Sequence, residues 1–424
     1  SFSNAVVSRG LLEGLKFDER LKVSEDFLVF NKLLLEEREI AFLDGPIYWY
    51  RKRGDGSSAI DSSHSNKSWY LDTPKLCYEE LFALSKQRYG YVIPYIQYAV
   101  MYDLQWRLKS CFESPLDDEE FAQYKTLCLG LLKEINPEII CAQRNLNRAQ
   151  KIAILAFRSE CEVGELLDRL FVLKSRLYLG GCGKYGSFST GLWGLKTEAA
   201  LTLHFLEFEA NGCMTIEGSL ATVLPEGMID LGVVCDGKTY KTVLFERPDA
   251  DNETFFGDIC HARIGFKVSI PKSSFSFTCR VMGGYVQPRL STSWTFPVSG
   301  LKNSYCWRNG VSITRSGDKF IVKKRSNTWR LKREYLYQKT IAPKSPEAAK
   351  LRRAILFNDT FCKGDRVWLI SDRPHMAGDN GEALFSYIQE HPIEGVKAVF
   401  CLEETSPDYA RLKGIGPVVP YWSL

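Results

Sequence analysis

With 424 residues, 55 Lys and Arg against 51 Asp and Glu, and a net charge of +4, the chain is too long for one ordinary domain and too nearly neutral for bulk nucleic-acid binding. A hydrophobic content of 45% with 25% charged residues excludes wholesale disorder. The 13 cysteines occur singly, with no Cys-x-x-Cys and no His-x-x-x-His, so no zinc site is expected and a reducing, cytosolic setting is. No apolar run reaches the roughly 18 residues of a membrane-spanning helix.

Ala5, Val6, Leu11, Leu12 and Leu15 predict a helix over 3–15. A connector over 18–23 leads into a second helix, running to about Glu36. Ser24 is the expected N-cap, its hydroxyl accepting from a first-turn backbone N–H. Glu25 and Asp26 follow where the helix dipole favours negative charge, as at the start of any capped helix. Short strands are expected over 39–43 and 47–50, joined by Asp44-Gly45-Pro46. The second strand continues into Tyr50-Arg51-Lys52-Arg53-Gly54-Asp55-Gly56-Ser57-Ser58. Strand alternation puts Arg51 and Arg53 on one side, and their planar forks suit phosphate oxygens. The glycines and serines that follow predict a mobile tip.

This ordered set, over about residues 1–62, resembles the C-terminal part of the GT-A fold in family-2 glycosyltransferases. The resemblance implies that Asp26 is the catalytic base, or Glu25 if the register differs by one. It implies that Tyr50, Arg51, Arg53 and Ser57 contact the donor diphosphate or close over it. Inverting sugar transfer needs a carboxylate to take the acceptor's proton and positive charge beside the leaving diphosphate. A complete GT-A domain also has a nucleotide-binding α/β half and an Asp-x-Asp site for a divalent metal, Mg or Mn. Nothing of that kind precedes Ser1, so the chain is expected to be a fragment that binds no metal or cofactor itself. Its Asp249-Ala250-Asp251 lies among turn-forming residues and reads as a solvated loop.

A polar linker is expected over 61–67, and a helical region from Trp69 to about Leu179. Pro94 suits a first helical turn, and Tyr95, Tyr98, Tyr102 and Trp106 recur behind it at helical spacing. Such a stripe predicts core; the alternative is an acceptor-binding face, because Tyr and Trp stack on sugars. The segment through Tyr102-Asp103-Leu104-Gln105-Trp106-Arg107 resembles the helical linker of large bacterial wall- and capsule-polymer synthases. Asp117-Asp118-Glu119-Glu120 caps a further helix, and Asn136-Pro137 breaks it.

The glycine-rich stretch over 180–186 lacks the Gly-Lys-Ser/Thr ending of a phosphate loop and reads as a boundary linker. From Glu198 to about Val322, short alternating runs and the hairpin dipeptides Asn211-Gly212 and Asp236-Gly237 predict a β-sandwich. His204 and His261 are expected to be structural. Lys323, Lys324, Arg325, Arg330, Lys332 and Arg333 make a basic stretch, either a solvated edge or a contact for an anionic membrane surface. A helix over 347–357 follows.

The last segment predicts a strand over 366–371, a loop, a capped helix over 379–388 and a strand over 396–402, a parallel βαβ start. Ser371-Asp372-Arg373 followed by Gly378-Asp379-Asn380-Gly381-Glu382-Ala383 resembles the opening of the CDP-glycerol glycerophosphotransferase domain, a GT-B fold. By that resemblance His375, Asp379 and Asn380 stand at its entrance.

The expected architecture is multidomain, α/β plus all-β: a GT-A C-terminal part over 1–62, a helical linker over 63–180, a β-sandwich over 181–335, and a connecting helix with the Rossmann-like GT-B start over 336–424. The two resemblances together imply part of a bacterial teichoic-acid or capsule polymer synthase. It would use a nucleotide sugar, CDP-glycerol and a lipid-linked polymer acceptor, from the cytoplasmic side of the plasma membrane. The alternative is a non-catalytic assembly or carbohydrate-binding module.

Overall fold

The computed structural model describes residues 6–14, 16–41, 44–45, 47, 65–110, 114–181, 189–247, 253–256, 258–261, 263–346, 348–350, 352–353, 356 and 366–421. The fold is mixed α/β with several separate sheets. The chain divides into two units, Ser1–Gly300 with Ser312–Lys323, and Leu301–Val311 with Lys324–Leu424.

In the first unit the expected N-terminal helix is only Arg9–Leu12, and Val6 and Leu11 are exposed. The next helix is Glu25–Glu37, burying Leu28, Val29, Asn31, Leu33 and Leu35. Arg38 ends it in the left-handed region, its N–H donating to the Leu34 carbonyl at 3.1 Å. Residues 39–41 do not form the expected strand, and Phe42, Leu43 and 48–50 lie outside the described residues.

A helical layer follows: Lys67–Tyr70, a π-helical turn at Thr73–Tyr78, Glu79–Tyr89, Pro94–Ser110, Asp118–Glu134, Pro137–Ala142 and Arg148–Arg158. Reciprocal capping boxes open two of these, Asp117 with Glu120 and Asn147 with Gln150. Their core holds Tyr70, Tyr78, Leu81, Ile96, Leu104, Tyr124 and Leu132. The helical region stops at Leu167, short of the expected Leu179, because a hairpin of β1 (Leu170–Leu173) and β2 (Arg176–Leu179) takes over, paired in turn with β3 (Thr190–Gly194). Most of the expected glycine-rich linker, 182–188, lies outside the described residues.

Two sheets then pack face to face. One has β4 (Ala200–Phe208) beside β5 (Cys213–Ala221), then β11 (Ile264–Pro271) and β8 (Val243–Glu246), with β14 (Arg289–Thr292) parallel on the outer edge of β4. The other runs β16 (Val311–Ser316), β17 (Lys319–Lys324), β12 (Phe275–Val281), β6 (Ile229–Cys235) and β7 (Lys238–Lys241), with β13 (Gly284–Val286) also paired to β12, while β9 (Glu253–Phe255) and β10 (Asp258–His261) form a separate two-stranded sheet. Alternate residues face inward, and Phe266 of β11 meets Phe277 of β12 edge-on at 5.7 Å between centroids. Gly218 sits where a Cβ would lie 2.5 Å from both the Phe266 ring and the Thr202 carbonyl, so only glycine lets these strands close. Asp236 and Gly237 both have positive φ, as a two-residue hairpin turn requires. Asp249 and Asp251 lie outside the described residues. His204 binds the Ser219 hydroxyl at 2.8 Å, and the side chain of His261 is outside the described residues.

Buried Glu198 joins helices to strands. It accepts from Arg148, the Trp193 indole, the Thr222 hydroxyl at 2.7 Å and the Val223 N–H at 2.8 Å.

The second unit holds β15 (Tyr305–Arg308), a helix Asn327–Ile341 capped by Ser326, and a three-stranded parallel sheet of β18 (Arg366–Ile370), β19 (Val396–Leu402) and β20 (Val418–Pro420). The helix Asn380–Glu390 connects β18 to β19, and Phe385 and Ile388 pack with Phe400, Leu402 and Leu412. Of the expected helix over 347–357, the described residues 348–350, 352–353 and 356 are helical.

Candidate active site around the acidic pair

Glu25 and Asp26 are half-buried in the first turn of their helix, and Asp26 Oδ1 accepts from the Phe27 N–H at 2.7 Å. Ser24 stands at the expected N-cap position, its carbonyl accepting from the Leu28 N–H at 3.1 Å, but its side chain does not cap the helix. It adopts left-handed geometry (φ 65°), uncommon for a residue with a Cβ, and its hydroxyl makes no bond to the first turn. The hydroxyl instead accepts from Arg107 Nη2 at 3.0 Å and reaches Asp103 Oδ2 at 3.4 Å. Backbone strain is held in place by bonds from another helix, immediately before the two carboxylates.

Arg107 is the hub of that arrangement. It is fully buried, and donates to the Trp69 carbonyl at 2.7 Å, the Asp103 carbonyl at 3.1 Å and Asp103 Oδ2 at 3.0 Å. Its guanidinium lies over the rings of Trp69 and Tyr78, 4.8 and 5.3 Å from the centroids. The Tyr78 hydroxyl, delivered by the π-helical turn, donates to Asp103 Oδ2 at 2.6 Å. Burial pushes the Tyr78 phenol well above its ordinary range, so it stays a proton donor. Burial also opposes charge on Arg107, but Asp103 more than restores it. The sequence signal for this hub is faint, opposite charges four residues apart, which ordinarily mark a solvated helix face.

The aromatic stripe lies on the same Pro94–Ser110 helix, and it is not core. Tyr95, Tyr98, Tyr102 and Trp106 are 44%, 42%, 48% and 40% exposed, while Ile96, Val100, Met101, Leu104 and Leu108 are buried on the other side. The aliphatic side packs inward because the helix already has a complete apolar stripe there. The Tyr95 hydroxyl donates to Asn31 Oδ1 at 2.8 Å, a second tie to the helix of the acidic pair. Tyr50, Arg51, Arg53 and Ser57, expected at the donor diphosphate, lie outside the described residues.

The strand-end loop of the second unit is organised by a residue the sequence reading did not single out. Asp372 accepts from the N–H groups of Asp379 at 3.1 Å, Gly381 at 2.6 Å and Glu382 at 3.2 Å. An internal carboxylate therefore takes the helix N-terminus that an anionic ligand would use. Asp379 caps the helix through Asn380 N at 2.8 Å, Asn380 is its first residue, and His375 is exposed in the loop. Arg411 locks the loop's far side with two bonds to Glu382, at 2.6 and 2.8 Å, and two to Asp408 Oδ1, at 3.0 and 3.4 Å; Asp408 also accepts from the Ala377 N–H.

In the basic stretch, Lys323, Lys324, Arg325 and Lys332 are exposed, but Arg330 and Arg333 are half-buried. Arg330 stacks over Trp307 at 5.1 Å and Arg325 over Trp329 at 5.5 Å. Among the described residues no three His, Cys, Asp or Glu side chains come together to hold a metal. No helix among them is long and apolar enough to cross a membrane.

The chain is similar to two proteins named for minor teichoic acid biosynthesis, to one along nearly its whole length and to the other over a third of it or less. The minor teichoic acid biosynthesis protein GgaB of Bacillus subtilis (strain 168) is 25% identical over 439 residues, covering 99% of this chain and 47% of that protein. The minor teichoic acid biosynthesis protein GgaA of the same strain is 34% identical over 131 residues, 30% of this chain and 29% of that protein. The chain thus spans about half the length, or less, of these relatives. No protein-family profile matches it. The crystal structure of S. aureus TarS aligns with 75% of this chain and 57% of its own at 13% identity and a TM-score of 0.36, too loose a likeness to carry an argument.

Proposed function

We propose that the chain is part of a teichoic-acid-type polymer synthase and carries the catalytic base of its sugar transfer. The observation that carries this is the 25% identity with GgaB along 99% of the chain. The arrangement around the acidic pair supports it. Asp26, or Glu25, takes the proton from the acceptor hydroxyl as that oxygen attacks the sugar of a nucleotide sugar. Arg107 and Asp103 set the backbone just ahead of the pair, so they position it without touching substrate. Tyr50, Arg51, Arg53 and Ser57 are assigned to the departing diphosphate, and a divalent metal to the complete GT-A domain.

The second unit is assigned, on the same reading, to glycerol phosphate transfer from CDP-glycerol. Its parallel βαβ geometry supports an open α/β sheet, whose ligands bind beyond the carboxyl ends of the strands. The polymer acceptor is lipid-linked, reached from the cytoplasmic face through the exposed cations of the basic stretch. The decisive experiment is Asp26→Asn in a full-length parent. Sugar transfer falls by ~10²–10⁴-fold, the usual loss for a positioned base, while glycerol phosphate transfer persists. Near-normal sugar transfer would remove Asp26 from the role, and an inactive Glu25→Gln beside an active Asp26→Asn would move it to Glu25.

A further inference from the structure

The Pro94–Ser110 helix buries an aliphatic side and turns an aromatic file outward. Beyond Pro94, its exposed positions are Tyr95, Tyr98, Tyr102 and Trp106, while Gln97, Gln105 and Arg107 are buried. A surface helix normally shows the reverse, with charge and amide groups outward. Most of the buried polar atoms are paired: Gln97 donates to the Val92 carbonyl at 2.6 Å and accepts from the Asn136 N–H at 2.7 Å, Gln105 Nε2 donates to the Tyr102 carbonyl at 2.8 Å although its Oε1 accepts no bond among the described residues, and Arg107 has the partners given above. The aromatic file is therefore not displaced core.

From the geometry we infer that this file is a track on which the sugar rings of the growing polymer stack, leading to the acidic pair; the inference rests on the function proposed above. Position is the first argument. Tyr95 bonds Asn31, and Tyr102 and Trp106 immediately precede Asp103 and Arg107, which hold Ser24. The file thus runs antiparallel beside the helix that starts with Glu25 and Asp26. From 95 to 106 it is about 16 Å long at 1.5 Å per residue, enough for several rings in line.

Chemistry is the second. The exposed rings carry hydroxyl or indole N–H groups, and among the described side chains beyond Pro94 no exposed position of this helix is aliphatic. Aromatic faces with polar tips meet the C–H faces and rim hydroxyls of sugars at once. Lys109 lies at the end of the file, its Nζ 5.2 Å from the Trp106 centroid, where a phosphate of the polymer would be met by a cation. Area is the third. Four rings of about 150–250 Å² each, less than half exposed, present at most about 500 Å², short of the ~800 Å² per partner of a stable protein interface. A narrow linear file fits a linear chain of sugars better than a globular partner.

The test uses the 424-residue chain and purified wall teichoic acid of Bacillus subtilis strain 168, titrated by calorimetry. Wild type binds, and Tyr98→Ala/Tyr102→Ala/Trp106→Ala binds at least about tenfold more weakly, the equivalent of one or two lost ring contacts. Tyr98→Phe/Tyr102→Phe, which keeps the ring faces, stays within a few-fold of wild type. Equal binding by wild type and the alanine variant overturns the track but leaves the transferase reading, which Asp26→Asn tests separately. No binding by wild type also overturns the track. A wild type that self-associates in sedimentation while the alanine variant does not would make the face a protein contact and overturn it too. If the triple variant fails to fold, Tyr98→Lys alone reads the same binding difference.

Discussion

Arg107 Nη2 lies 3.0 Å from Ser24 Oγ, across 83 residues of chain. That bond takes the serine hydroxyl away from its expected capping role and fixes a left-handed residue one position before Glu25. The start of the acidic-pair helix is set by a partner helix, not by its own cap.

Arg107→Met should therefore destabilise the first unit strongly. It leaves the Asp103 carboxylate and the Ser24 hydroxyl without their cation, and breaking one side of such a buried pair costs about 3–5 kcal/mol. Urea denaturation followed by tryptophan fluorescence measures it. A change under about 1 kcal/mol would mean the hub is dispensable.

Ser24→Gly and Ser24→Ala separate the hydroxyl from the backbone. Both lose the bonds to Arg107 and Asp103, but glycine relieves the positive φ and alanine does not. The glycine variant should be more stable than the alanine variant by about 1 kcal/mol in the same denaturation. The reverse order would show that Ser24 is not held left-handed in solution.

Gly381→Ala should loosen the C-terminal βαβ. A Cβ there would stand 2.4 Å from Asp372 Oδ1 and 3.1 Å from the Ser371 carbonyl, so Asp372 must leave the helix N-terminus. Three backbone N–H groups then lose their acceptor, and hydrogen exchange should quicken at Asp379, Gly381 and Glu382. Unchanged protection at these amides would contradict the assigned role of Asp372.

The second unit should be acid-sensitive through Glu334. Burial raises its pKa, but hydrogen bonds from Arg352, Gln338 and Tyr305 outweigh that and hold the carboxyl below its ordinary 4.5. A depressed folded value means the stabilisation is present above the unfolded value and is lost as pH falls through the folded one. Glu382 and Asp408 are lowered too, Glu382 chiefly by Arg411 and Asp408 chiefly by the Ala377 N–H. Melting temperature should thus fall as pH drops below about 4.5, and Glu334→Gln should flatten part of that slope. An identical slope in the mutant would discharge Glu334 from the effect.

Membrane contact by the basic stretch is checked by vesicle co-sedimentation. Changing Lys323, Lys324, Arg325 and Lys332 to Gln should weaken binding to anionic vesicles, and salt should weaken the wild type, since exposed charges are screened within about 10 Å at 0.1 M. Binding indifferent to lipid charge would leave the stretch a solvated edge.

What the sequence determined by itself was local. The Asp236-Gly237 turn, the alternation of β5, β6, β11 and β12, the Asp117 and Asp379 caps and the parallel start at β18 all rest on residues within a few positions of one another. Tertiary structure alone decided which way the Pro94–Ser110 helix faces. Its aliphatic residues and its aromatic residues both recur at helical spacing, so the period is satisfied with either side inward. It alone decided the role of Ser24 as well, because a hydroxyl bonds the strongest donor within reach, and Arg107 is brought there only by folding.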